Sequence, residues 1–210
     1  MSGAGRFVTF EGVDGAGKST QLRLLAARLR DAGREVVETR EPGGSPGAEA
    51  IRGLLVNGAT ARWSAETELL LFTAARRDHL ERRLRPALDR GATVLCDRYV
   101  DSTRAYQSAG RGADRALIDD LHARLIGLDP DLTVILDLDP ETALGRGLAR
   151  GGAARFEGFG LDFQRALRAA FRAIAEAEPG RCLLIDAAGE AEDVAARLAA
   201  AALPRLETAP

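Results

Sequence analysis

A lysine set among glycines and followed by hydroxyl side chains can hold a polyphosphate. The stretch Gly12-Val13-Asp14-Gly15-Ala16-Gly17-Lys18-Ser19-Thr20 has these residues at the spacing G-x-x-x-x-G-K-[ST]. The glycines let the backbone curl so that successive N–H groups point at phosphate oxygens, and the N-terminus of a following helix adds partial positive charge. In such a loop Lys18 reaches the outer phosphates and the Ser19 hydroxyl ligates Mg²⁺. The flanks are the ones this chemistry requires. Arg6-Phe7-Val8-Thr9-Phe10 alternates as a short strand, and Gln21 to Leu29 carries apolar residues at helical spacing. Strand, glycine loop and helix together predict a nucleoside triphosphate site.

Other chemistry-bearing residues stand directly after apolar runs. Arg40 and Glu41 follow Arg34 to Thr39, and Asp97 and Arg98 follow Thr93 to Cys96. In a parallel α/β sheet the ligand lies beyond the carboxyl ends of the strands. Arg40 and Arg98 are therefore candidates to converge on a second phosphate, whose geometry a guanidinium fork matches. Either one alone reads equally well as a surface arginine. Asp97 suits orienting Mg²⁺ through water, holding Arg98, or simply capping its strand. Asp14, a carboxylate inside the glycine loop, reads by itself as a turn former. Phe72 and Arg76 are four residues apart and share a helix face; by spacing alone Phe72 is a core residue.

The elements that must position these groups follow from periodicity. Arg34 to Thr39 is a second strand, closed by the turn Glu41-Pro42-Gly43-Gly44. A short helix is expected over Ala48 to Val56, and a long one from Ser64 to about Arg90, with Glu66 to Glu68 favouring its first turn. Thr93 to Cys96 is a third strand. A helix over Asp114 to Ile126 sets Leu117, Leu121 and Leu125 on one stripe and stops at Gly127. Leu132 to Asp137 is the fourth strand, and another helix begins after Pro140. Phe163, Leu167, Phe171 and Ile174 mark the core face of a long helix. Cys182 to Ile185 is the fifth strand, and an alanine-rich helix from Glu190 closes the chain, with Pro204 to Pro210 frayed. Short continuous apolar strands alternating with helices predict an α/β architecture, a parallel sheet covered on both faces.

Composition narrows the class. The 210 residues, 46% hydrophobic and 29% charged, suit one soluble globular domain over residues 1–210, without repeat or linker. A net charge of −2 offers no basic field, so no nucleic-acid partner is expected. Cys96 and Cys182 sit inside apolar runs and read as buried hydrophobes, and His79 and His122 are isolated, which argues against zinc. No apolar run approaches the ~20 residues of a membrane helix, and the N-terminus lacks a signal-peptide pattern. A cytoplasmic protein with no membrane partner is expected.

The set Gly12 to Thr20, Thr39 to Gly44, Leu71 to Arg76, Asp97-Arg98-Tyr99, Ser102, Ala105-Tyr106-Gln107 and Gly110-Arg111-Gly112 resembles thymidylate kinase, the dTMP kinase of bacteria. The matches keep the family's order across most of the chain. The resemblance implies a P-loop nucleoside monophosphate kinase fold with a five-stranded parallel sheet. It implies transfer of the γ-phosphoryl of ATP to dTMP, giving dTDP for dTTP synthesis, with Mg²⁺ as cofactor and a homodimer as the assembly. By the same resemblance Arg40 and Arg98 place the dTMP phosphate, with Glu41 orienting an arginine or a metal-bound water. Phe72 stacks on thymine, and Arg76 donates to a thymine carbonyl. Gln107 meets the base's other polar edge, Tyr106 packs near the sugar, and Asp14 contacts the sugar hydroxyl. Ser102 and Arg111 are further contacts. Gly15 stands where one branch of the family carries an arginine; in the other branch the cations come from a mobile lid. Here residues 145–157 hold Arg146, Arg150 and Arg155 among glycines and alanines, which resembles the lid-arginine branch, with Arg150 and Arg146 as the leading catalytic cations.

Three other classes would share the P-loop. A regulatory GTPase needs an N-K-x-D motif, which the sequence lacks. A different nucleoside monophosphate kinase shares fold and lid, but Arg40-Glu41-Pro42 with Phe72, Arg76 and Gln107 favours thymidylate. A non-catalytic nucleotide-binding module would not need Lys18, Ser19, Asp97 and the lid arginines together. The run Leu69-Leu70-Leu71-Phe72 covers nearly every direction around its helix. Part of it therefore faces away from a single core, and with Trp63 nearby this suggests an interface.

Overall fold

The computed structural model describes residues 5–59, 62–149 and 159–207. Strands β1 (Arg6–Glu11), β2 (Val36–Arg40), β3 (Thr93–Asp97), β4 (Leu132–Asp137) and β5 (Cys182–Asp186) form one sheet in the order β2-β3-β1-β4-β5. All neighbours are parallel, and Asp97 lies opposite both Phe10 and Arg40. That register brings the carboxyl ends of β1, β2 and β3 level. Glu11, Arg40 and Asp97 thus leave the sheet at one edge, where the glycine loop also begins.

The strands carry apolar residues on both faces because both are covered. Val8, Phe10, Leu95 and Val134 pack in one cluster with Leu22 and Leu25 of α1 (Lys18–Asp31), Phe171 of α8 (Leu161–Ala177) and Leu198 of α9 (Ala191–Glu207). The alternate residues Phe7, Val94 and Cys96 join a second cluster with Leu80, Leu84, Tyr99 and Ile126. Period two thus divides β1 and β3 between two cores, while β4 and β5 give their buried residues to the first. Cys96 and Cys182 are buried and free, on strands separated by β1 and β4.

The expected helices form, with differences that have physical causes. The short helix is α2 (Pro46–Val56), starting two residues early because Pro46 at its first turn needs no N–H partner. The long helix is α3 (Ala65–His79), capped by Ser64 accepting from the Thr67 amide; it runs through a π turn at Leu80–Leu84 into α4 (Arg85–Asp89). Helix α5 (Val100–Thr103), extended by π geometry over Arg104–Ala109, has no counterpart in the sequence reading. It is fixed by tertiary contact, Tyr106 meeting the Phe163 and Phe171 rings edge-on. Helix α6 (Arg115–Leu121), extended over His122–Ile126, buries Ile118, His122 and Ile126 and leaves Leu117 and Leu125 exposed. Of the leucine stripe, Leu117 and Leu125 therefore face outward, while Leu121 packs beside Leu69 and Ile118. Helix α7 (Pro140–Ala149) follows β4. Helix α9 continues through Pro204 to Glu207 rather than fraying there, since Leu206 is buried and its carbonyl accepts from Arg34. Among the described residues no helix is long and apolar enough to cross a membrane.

Candidate active site

The glycine loop joins β1 to α1, and two of its glycines, Gly12 and Gly15, are demanded by close backbone approach. A Cβ at Gly12 (φ 128°) would meet the Leu136 carbonyl oxygen at 2.5 Å, and one at Gly15 (φ 90°) the Ala143 carbonyl oxygen at 2.1 Å. Helix α7 thus lies against the loop, and any side chain at position 15 would displace it. Val13 and Ala16 are buried beneath the loop. Lys18, at the first turn of α1, turns back over it, its Nζ donating to the carbonyls of Gly12 (3.0 Å) and Val13 (2.8 Å). Burial, then repulsion from Arg98, brings its ammonium down to about 8. Ser19 donates its hydroxyl to the Asp97 carboxylate at the end of β3. That pairs two hard oxygen donors beside the phosphate loop, the donor set Mg²⁺ favours.

A cleft of about 500 Å³ opens from this loop. Its walls bring together Asp14, Gly15, Gly17, Lys18, Ser19, Thr20, Arg40, Glu41, Phe72, Arg76, Asp97, Arg98, Ser102, Tyr106 and Gln107, so the predicted constellation is spatially one. Arg98 adopts the left-handed region (φ 71°). Its guanidinium donates to Asp14 (2.6 Å), the Tyr106 hydroxyl (3.0 Å), the Ser102 hydroxyl (2.9 Å) and the Gly12 carbonyl (3.2 Å). Burial pushes the Asp14 carboxyl up, but the Arg98 and Lys18 charges and the bonds from Arg98 and Tyr106 outweigh it and hold it well below the carboxylate range. Arg40 pairs with Glu49 of α2 at 3.0 Å near the surface.

The far end is built differently. Arg76 is buried, its Nε donating to Glu41 (2.7 Å) and its Nη2 to the Thr103 hydroxyl (2.9 Å), with its guanidinium over the Tyr99 ring. Glu41 also bonds His79 Nδ1 at 3.0 Å, and His79 Nε2 meets the Thr39 hydroxyl at 2.7 Å. Burial opposes the Glu41 charge, yet Arg76 and His79 hold its carboxyl below the usual range. Gln107 Nε2 donates to the buried Glu68 carboxylate at 3.4 Å. Phe72, half-buried, lines the cleft beside them and is not a core residue.

Some predicted residues lie elsewhere. Arg146 donates to the Gly189 carbonyl at 3.3 Å, away from the cleft wall. Arg150 and Arg155 lie outside the described residues, as does most of the expected lid. Arg111 donates to the Trp63 carbonyl and sits over the Phe159 ring. Sequence reasoning missed Arg52, which lines the cleft from α2 and donates to the Pro42 carbonyl at 2.6 Å. Burial, then the Arg40 charge, lowers its pKa. The available signal was its place on the inward face of α2, four residues after buried Ala48 and three before buried Leu55. Arg40, Arg52 and Arg98, arriving from three elements, make an excess of guanidinium groups that suits a phosphate.

Comparison with known proteins gives one family. The thymidylate kinase family model matches residues 10–198. The chain is 60% identical to the thymidylate kinase of Dinoroseobacter shibae over 207 residues, covering 96% of this chain and all of that protein. It is 59% identical to the thymidylate kinase of Caulobacter vibrioides, covering 96% of this chain and 98% of the other. The crystal structure of thymidylate kinase from Ehrlichia chaffeensis superposes with a TM-score of 0.78 at 35% identity, covering 95% of this chain and 99% of that one. With the P-loop, the guanidinium cluster and the Phe72–Arg76–Gln107 end in one cleft, and with relatives this similar over nearly full length, the chain belongs to the thymidylate kinase family.

Proposed function

We propose that the protein transfers the γ-phosphoryl of ATP to the 5′-phosphate of dTMP, yielding ADP and dTDP, a step that feeds dTTP synthesis. The observation that carries this reading is the cleft itself. It gathers Lys18 with the glycine loop, the three arginines Arg40, Arg52 and Arg98, and the ring of Phe72 with Arg76 and Gln107 into one space. Transfer between two polyanions is limited by alignment and charge, so cations and a rigid grip supply most of the rate. The acceptor phosphate is already ionised, and no general base is required. Arg40, Arg52 and Arg98 hold the dTMP phosphate. Asp14 and Tyr106 face the sugar, Phe72 stacks on the base, and Arg76 and Gln107 meet its polar edge.

Ser19 and Asp97 would hold Mg²⁺, which when bound neutralises charge on the β- and γ-phosphates. A cation from the lid, Arg150 or Arg146, completes the charge balance at the transferring group. Gly15 excludes a loop arginine and so leaves that role to the lid. The test is a coupled ADP-release assay with dTMP, dUMP, dCMP and AMP as acceptors. Turnover is expected with dTMP first and dUMP second; turnover with AMP or dCMP above dTMP would overturn the assignment.

We also propose a homodimer. Leu70 of α3 is 58% exposed, and Leu117 and Leu125 lie exposed on the α6 segment beside it. The two segments are tied by Arg77 donating to the Leu125 carbonyl at 2.6 Å. Trp63, by contrast, donates its indole N–H to the Leu54 carbonyl of its own chain. Sedimentation of the protein and of Leu70→Glu checks this: a dimer for the first and a monomer for the second are expected.

A further inference from the structure

Glu11 is the last residue of β1 and is fully buried. It does not line the cleft, and the proposed reaction assigns it no role. Its Oε1 accepts the backbone N–H of Tyr99 at 2.8 Å and that of Ser102 at 3.2 Å. Its Oε2 accepts the Ser102 hydroxyl at 2.5 Å. That hydroxyl in turn accepts from Arg98 Nη1 at 2.9 Å. Glu11 therefore reaches Arg98 by two routes. One is through the backbone: the residue after Arg98 is pinned by its amide, while the Arg98 amide itself is held by the Phe10 carbonyl at 2.9 Å. The other is through the side chain, by way of Ser102.

Both routes act on a residue in an unfavourable conformation. A non-glycine φ of 71° costs free energy and persists only where the surroundings over-determine it. Here the surroundings are the two amides and the carboxylate that receives them. Nothing in the chemistry of a strand end calls for a buried charge at this place, and a neutral side chain would fill the same space at lower desolvation cost.

We propose that Glu11 is a positioning residue whose charge, relayed by Ser102 and the Tyr99 amide, holds the Arg98 guanidinium in the orientation that receives the acceptor phosphate. The inference rests on Arg98 being a ligand of that phosphate. The charged and titratable groups that act on Glu11 are Asp101 from α5, Arg98, Lys18 from α1, Arg76 from α3, Cys96 from β3 and Cys182 from β5. Burial and then the Asp101 charge push its carboxyl up, against Arg98 and the bonds from Ser102 and Tyr99, to about 7. The relay is therefore charged above neutral pH and discharges below it.

The test compares wild type, Glu11→Gln, Arg98→Ala and the double variant by steady-state kinetics between pH 6 and 8. Glu11→Gln keeps the shape and removes the charge. It should raise the KM for dTMP about tenfold, as roughly expected for two groups coupled in one network, and leave the KM for ATP within about twofold. The ratio of wild type to Glu11→Gln in kcat/KM for dTMP should shrink as pH falls, because only the wild type has a charge to lose there. Ionisation of dTMP itself cancels in that ratio. In the Arg98→Ala background the Glu11 substitution should add nothing. A wild-type KM for dTMP in Glu11→Gln, a pH-independent ratio, or equal changes for ATP and dTMP would each overturn the inference. If Arg98→Ala leaves the KM for dTMP unchanged, the reading of Arg98 falls and takes this one with it. If Arg98→Ala raises that KM and Glu11→Gln does not, only the role of Glu11 falls. Should Glu11→Gln not fold, Glu11→Asp carries the same test: the charge is retained but withdrawn by one methylene. It should raise the KM for dTMP and keep the pH response, and a wild-type KM there would count against the relay.

Discussion

The part of the cleft proposed to read the base and the part proposed to hold the acceptor phosphate are built on different plans. At the base end the polar groups are already committed to one another: Arg76, 4% exposed, is locked to Glu41 and Thr103, and Glu41 is locked to His79. At the phosphate end Arg98 is held as firmly, by Asp14, Ser102, Tyr106 and the Gly12 carbonyl, but the outer cations rest on contacts a ligand can displace, Arg40 on half-exposed Glu49 and Arg52 on a carbonyl. The difference follows from what each end must bind. A neutral base offers a few hydrogen bonds, and a donor must wait at a fixed place to read them. A phosphate brings charge enough to draw guanidinium groups away from weak partners.

The contrast breaks first at Arg76. Arg76→Ala would leave Glu41 charged and buried with His79 alone, and removing one partner of a buried pair costs about 3–5 kcal/mol. Equilibrium unfolding should show that loss, on the order of 10 °C in Tm for a chain of this size. A variant as stable as the parent would mean that the base end is no more committed than the phosphate end. Next comes Lys18→Ala, expected to lower kcat by roughly a hundredfold or more, about 3 kcal/mol of transition-state stabilisation, with little change in Tm. Because burial brings the Lys18 ammonium to about 8, it is charged below that pH and discharges above it. The kcat/KM for ATP, which reports the free enzyme, should therefore decline as pH rises through about 8. A flat profile there would detach Lys18 from the donor phosphates.

The same contrast separates what could be read in the sequence from what could not. The phosphate loop is contiguous, and Lys18 bonds to residues five and six positions away, so its chemistry is written in one stretch. Most of the strands are short apolar runs, as a sheet covered on both faces requires. Arg52, by contrast, becomes a site residue only when α2 is laid across the end of β2, and no motif marks it. Helix α5 escaped notice because its residues have no amphipathic period, and Tyr106 is fixed by rings from α8. On α6 the sequence marks a stripe of Leu117, Leu121 and Leu125, of which only Leu121 packs inward. The buried stripe instead has His122 at its centre, made acceptable by Asp129 at 3.0 Å and the Tyr99 ring. Pro204 reads as a helix end, and burial of Leu206 overrides it.

Arg52 sharpens the comparison from the phosphate side. Arg52→Ala should raise the KM for dTMP by roughly ten- to a hundredfold, the value of a hydrogen bond to a charged group, while leaving Tm and the KM for ATP almost unchanged. Its present partner is a backbone carbonyl that water can serve equally well. A large loss of stability would instead make Arg52 a strut for the Pro42 turn.

The smallest effect is the most discriminating, because it asks whether Arg40 is waiting or already placed. Its partner Glu49 also accepts the Gly44 amide at 2.9 Å, and that bond is the first cause holding the Glu49 carboxyl below its ordinary range. The pair is about half exposed on both sides, a setting in which ion pairs contribute about 0–1 kcal/mol. A phosphate must outbid that carboxylate to recruit Arg40. Glu49→Gln keeps an acceptor for Gly44 and removes the competing charge, so the KM for dTMP should fall, by up to about fivefold on that scale. Salt should narrow the gap between variant and parent, since screening weakens exposed pairs. A rise in KM would mean the reverse arrangement: Glu49 holds Arg40 at its working position, and the phosphate end is as preorganised as the base end.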